Sequence, residues 1–190
     1  MAMAELYWFM VKLISSTQKK KKVMVRLIQN FLDIILLKKG PDIIPSSWLI
    51  FFFSTFLLAL SSFGVILLID NNIDRNPAVN LIAYAGGLIF YLFVIYIYGY
   101  SNRALQTLTA IIACGSLITI GFVFEYVFMA PFIGINFASF IAGLIMLWSI
   151  PVEGHIIACA INRKRIFGII ISISALFVQL LIQLQITSQG

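Results

Sequence analysis

Five stretches of about twenty apolar residues, none carrying a charge at its centre, leave this chain few ways to fold. A bilayer's hydrocarbon core is about 30 Å thick and is crossed by about 20 helical residues rising 1.5 Å each. The stretches are residues 48–69, 78–99, 104–129, 132–161 and 166–186. The first follows Pro45-Ser46-Ser47 and closes on Asp70-Asn71-Asn72. The second follows Pro77, which costs a helix nothing at its first position, where the amide has no intrahelical partner. The third is expected to stop at Pro131. The fourth is long for one span, and Pro151 within it should kink the helix or bend its last turns along the interface. The expected fold is therefore all-α, a polytopic membrane bundle of about five helices. No internal repeat is evident, and five spans do not divide into equal halves.

Composition agrees with that reading. Hydrophobic residues make up 62% of the 190 and charged residues 11%, against roughly 45–50% and about 25% in soluble domains. After Lys39 no polar stretch is long enough for a second domain, so residues 1–47 read as a cytoplasmic segment, 48–186 as the membrane domain and 187–190 as a short outer tail. The net charge of +6 sits in short clusters beside apolar spans. Such clusters set topology and contact lipid headgroups, so nucleic acid is not the expected partner.

Upstream of the first span, residues 23–37 place Arg26, Gln29, Asn30 and Asp33 on one helical stripe. This stretch is too short to span. It should lie in the interface plane with Leu27, Phe31 and Ile35 among the acyl chains, anchored by Lys19, Lys20, Lys21, Lys22, Arg26, Lys38 and Lys39. Leu6 to Ile14 is a weaker surface candidate. Residues 1–23 equally read as a tail preceding a start at Met24, which would open the amphipathic helix cleanly.

Alternate sides of five spans receive very unequal charge. Twelve of the thirteen Lys and Arg fall on one side and only Arg75 on the other. The positive-inside rule then puts the N-terminus in the cytoplasm and the C-terminus outside, in a bacterial inner membrane. Trp48, Tyr98, Tyr100 and Trp148 should mark the inner interface and Tyr126 the outer one.

Ionisable groups at membrane depth are costly and are functional candidates by default. Here Glu125 falls near the outer end of the third span, and Glu153 and His155 near the inner end of the fourth. Pro151, Glu153 and His155 with Arg163 form a candidate polar notch, or else interfacial side chains pairing with headgroups and neighbouring arginines. Arg103, Gln106 and Thr109 open the third span as candidate packing residues, Gln106 and Thr109 sharing a face. Ala83 with Gly87, Ala138 with Ala142, Ser139 with Gly143, and Gly168 with Ser172 are small pairs at four-residue spacing that would let backbones approach. Gln179, Gln183 and Gln185 read as hydrogen-bonders between helices or at the interface.

Cys114 and Cys159 form no C-x-x-C pair, and a single histidine two residues from one glutamate offers no metal-binding face. The sequence contains no nucleophile elbow, phosphate loop or dinucleotide fingerprint. No cofactor and no enzyme activity are expected.

A cytoplasmic segment, five closely spaced helices, a first span following a proline and a basic loop before the last helix resemble the Yip family of Ypt-interacting five-span proteins. The likeness covers roughly residues 40–186. The stretch Arg103 to Ala110, with Trp148-Ser149 and Gly154-His155, is also similar to uncharacterised bacterial inner-membrane proteins of this shape. The resemblance implies a noncatalytic membrane protein acting through partners or bilayer organisation, and the expected partners are the lipid bilayer and other membrane proteins or a homo-oligomer. The long acidic domain of eukaryotic members is missing, which counts against a GTPase partner. A small transporter or channel subunit is the competing expectation.

Overall fold

A computed structural model describes residues 24–68 and 77–188. Lys19 to Lys22, the Leu6 to Ile14 segment, the Asp70 to Asn72 stop and Arg75 lie outside the described residues. The described chain is helical without strands. Residues 24–35 form α1, and a 3-10 turn occupies Pro41–Ile43. Then come α2 (Trp48–Leu68), α3 (Pro77–Ile97), α4 (Ala104–Ile133), α5 (Ile135–Leu147), α6 (Ser149–Ala160) and α7 (Arg165–Thr187). The protein is an all-α polytopic bundle. Among the described residues five helices, counting α5 and α6 as one, are long and apolar enough to cross a membrane.

The third span is the hub. Half of the residues in its most apolar window are buried, against 11% to 22% in the other four. Helices α2, α5 and α6 pack on it, while α7 lies against α3 and α6. Helix α2 hides only Ser54 and Ser61 and turns its large side chains outward. That is how a lipid-facing helix packs, since small residues permit close approach and bulky ones gain nothing by leaving an equally apolar solvent.

One boundary differs from expectation, and the fourth span is interrupted as its proline predicts. Helix α4 runs past Pro131 to Ile133, because proline's φ is compatible with a helix and near a C-terminus forfeits only one hydrogen bond. The turn falls instead at Gly134, whose φ of 83° and ψ of 150° belong to a region open essentially to glycine alone. The fourth span is two helices that break at Trp148, three residues ahead of Pro151. Starting a new helix at Ser149 places proline's missing donor among first-turn amides that lack intrahelical partners, and so relieves the clash with the Leu147 carbonyl.

Three helices end alike at one pole of the bundle. In α1, α3 and α6 the residues Leu37, Gly99 and Asn162 adopt φ of 59°, 77° and 53°. Each is followed by a 6→1 bond: Lys38 N to Asp33 O, Tyr100 N to Ile95 O, and Arg163 N to Ala158 O. These Schellman turns satisfy carbonyls that would otherwise be orphaned. Leucine in this conformation is disfavoured by its Cβ, and its carbonyl is clamped by Arg165 Nη2 at 3.2 Å.

Helix α1 corrects the expected membrane-surface segment. Phe31 and Ile34 are fully buried in the bundle core, with Leu27 and Ile35 packed beside them. Beyond Met24 at the first described position, the exposed apolar residues are Val25, Ile28, Leu32 and Leu36, a different stripe. At 100° per residue, the helix has three faces: polar (Arg26, Gln29, Asn30, Asp33), protein-facing, and outward apolar. Sequence periodicity merged the last two because both are hydrophobic. Phe31→Ala is expected to destabilise the bundle by about 3–5 kcal/mol, measured by thermal unfolding in detergent. Replacing Ile28, Leu32 and Leu36 with serine should leave that stability unchanged while lowering quenching by bilayer-embedded quenchers of a probe on α1.

Candidate functional site

The 3-10 turn, α6, the C-terminal end of α3 and the N-terminal ends of α4 and α7 meet at the pole that carries Lys38, Lys39, Arg103, Arg163, Lys164 and Arg165. The links run from side chain to backbone. Gln106 Nε2 donates to Ile44 O at 2.9 Å, Trp148 Nε1 to Ile35 O at 3.1 Å, and His155 Nε2 lies 3.1 Å from Lys39 O. A carbonyl only accepts, so this histidine nitrogen carries the hydrogen. The end of α1 and the segment after it are thereby tied to α4, to the junction of α5 and α6, and to α6.

The notch residues do not converge. Glu153 and His155 are two positions apart on α6, about 200° around the helix, and they face opposite ways. Glu153 points into the bundle, where Tyr91 Oη donates to its Oε2 at 2.6 Å and Ser172 Oγ lies 3.3 Å from the same phenol. Glu153 sits seven residues, roughly 10 Å of helix, before the end of α6, and its carboxyl is directed at Tyr91 and not at Arg163. His155 faces the chain at Lys39. The Arg163 guanidinium instead covers the Tyr98 ring at 5.7 Å. Pro151 lies in the first turn of α6.

The packing residues divide similarly. Gln106 joins α4 to the 3-10 turn as a cross-segment bond, but the Thr109 hydroxyl is satisfied by Leu105 O of its own helix at 2.6 Å. Arg103 lies over the Tyr100 ring at 5.4 Å. Ala83, Ala138, Ala142, Gly168 and Ser172 are buried at helix contacts, and Gly87 receives the Gln179 side chain. Ser139 and Gly143 are exposed, because the α5 face that meets α4 is the one carrying Ala138 and Ala142. Gln183 Nε2 donates to Asn80 Oδ1 at 3.2 Å, linking α7 to α3.

Sequence reasoning missed Tyr91 and Tyr84. Tyr91 is one of the largest fully buried side chains, and the Tyr84 hydroxyl is buried without a hydrogen-bond partner. A Cβ added at Gly115 of α4 would lie 3.8 Å from that hydroxyl. Their seven-residue spacing on α3, which puts both phenols on one face, was the available signal. The i, i+4 pair His155 and Cys159 was also legible. Cys159 Sγ lies 3.7 and 3.8 Å from the two ring nitrogens. Near-equal distances mean that the sulfur is not aligned on Nδ1, so the pair lacks the geometry of a nucleophile with its base. Both oxygens of Glu125 are buried without a partner.

At the surface of this pole, Asp33 and Lys39 pair at 2.7 Å. The Lys39 ammonium holds the Asp33 carboxyl below its ordinary value of 3.8. A lowered carboxyl stabilises the fold above that ordinary value and loses the contribution as pH falls through the lowered one. The pair is solvent-exposed, so its contribution is small.

Comparison of the chain with protein-family models, with curated proteins and with solved structures finds no match in any of the three.

Proposed function

We propose that this integral membrane protein is a noncatalytic partner-binding or assembly component of a bacterial cytoplasmic membrane, with its N-terminus and cationic pole inside. The observation that carries the reading is the clamped segment between α1 and α2. Gln106, His155, Trp148 and Arg165 each bind a carbonyl of residues 35–44, holding a charged surface in one conformation. A preorganised surface loses less entropy on binding than loose loops do. The Yip-like order of spans supports the same class of role.

Photocrosslinking residues placed at Gln29 and Lys38, compared with one at Phe132 on the opposite pole, test the proposal. Discrete adducts with another membrane protein, or with a second copy, at the first two positions are the expected result. A lone monomer at every position, in several mild detergents, contradicts it.

A transport role has one observation in its favour: a span broken at Trp148 with Glu153 in its second half, an arrangement found around transporter sites. Against it, the Ser116 and Thr119 hydroxyls near the middle of α4 are satisfied by Ile112 O and Gly115 O of their own helix. Solute or ion flux in liposomes that is lost in Glu153→Gln would favour transport over partner binding.

A further inference from the structure

We propose that the groove between α1, α4 and α5 binds an acyl chain of an anionic phospholipid, whose headgroup rests on the cationic pole. This goes beyond the partner-binding reading and does not depend on it. The groove has a volume of about 510 Å³ and is walled by Leu32, Ile35, Leu117, Gly121, Leu144 and Trp148, a size within the range of roughly 300–1,000 Å³ for small-molecule sites. Its lining is almost wholly apolar, and the one indole N–H on its wall is already given to Ile35 O. That chemistry suits a hydrocarbon tail.

Gly121 supplies an independent observation. A glycine within a helix costs roughly 0.5–1 kcal/mol relative to alanine; close backbone neighbours explain Gly154 and Gly168 but neither Gly121 nor Gly143, and of these two only Gly121 lines the groove. At Gly121 an added Cβ would meet nothing within 4 Å. The space it leaves open is the groove itself.

Charge complementarity selects the occupant. The groove opens beside α1, and exposed Lys38 follows the wall residue Ile35 by three positions. Lys39, Arg163, Lys164 and Arg165 are exposed at the same pole, against the carboxylates of Asp33 and Asp42. An amphiphile with one negative head and an apolar tail matches both parts. A partner helix or a second copy would match the apolar wall alone.

The test is native mass spectrometry of the full chain in mild detergent, titrated with phosphatidylglycerol and with phosphatidylcholine of identical acyl chains. One phosphatidylglycerol is expected to bind preferentially. Gly121→Leu should remove that binding at lipid concentrations that saturate the parent chain, with circular dichroism unchanged. Leu144→Trp, which narrows the groove from α5, should do the same and guards against misfolding of the first variant. Lys38→Gln should reduce the preference for the anionic lipid by about fivefold and leave phosphatidylcholine binding as it was. Equal binding of the two lipids by the parent chain overturns the headgroup assignment. Undiminished phosphatidylglycerol binding in both groove variants overturns the site. Crosslinked dimers joined through Leu32 and Leu144 would replace the lipid with a second copy.

Discussion

Gly168→Ala is expected to separate α6 from α7 and to cost at least the upper end of the ~1–3 kcal/mol typical of overpacking. A Cβ at this position would collide with the Gly154 carbonyl, and one at Gly154 would lie 2.7 Å from Ile169 Cα. Both obstacles are backbone, so no rotamer change relieves them. The same exchange at Gly143, where an added Cβ meets nothing within 4 Å, should be neutral or stabilise by helix propensity. Thermal unfolding of the purified variants in one detergent measures both. Equal melting behaviour for Gly168→Ala and Gly143→Ala would mean that α6 and α7 do not cross as described.

The second large effect concerns the acid inside the bundle. Tyr91→Phe removes the phenol that donates to Glu153 Oε2 and leaves a buried carboxyl short of a donor, at an expected cost of about 1–3 kcal/mol. Glu153→Leu alone leaves the phenol with only its longer contact to Ser172 Oγ at 3.3 Å. The double variant, which removes both polar partners, should be less destabilised than the sum of the singles, because neither group is then left unsatisfied. Additive losses in a double-mutant cycle would show that the two side chains act independently.

The architecture was legible because a bilayer imposes one requirement, about twenty apolar residues per crossing, that side-chain identity alone can meet. Residues 48–68 and 165–187 fall within a residue of the reading for that reason. Boundaries set by a single backbone conformation were less visible. Pro131 looked like a terminator, whereas Gly134 acts as one, and the break ahead of Pro151 is displaced to Trp148 because proline acts on the turn before it. The site was least legible. Glu153 and His155 are neighbours in sequence but face opposite sides of α6. The phenol bound to Glu153 is 62 residues away, and no periodicity encodes such a pairing. Likewise, Phe31 and Leu32 are both apolar, and only the packed bundle shows that one faces protein and the other the outside.

The proposed topology of five crossings puts residues 38 and 188 on opposite sides of the membrane, with the cationic pole in the cytoplasm. Reporter fusions at residues 38, 103, 164 and 188 test this directly. The first three are expected to report the cytoplasmic side and residue 188 the opposite one, following the charge asymmetry of the segments between spans. A cytoplasmic signal at residue 188, with residues 38 and 103 also inside, would contradict the five-span account and point to the broken helix pair α5 and α6 entering and leaving by the same face.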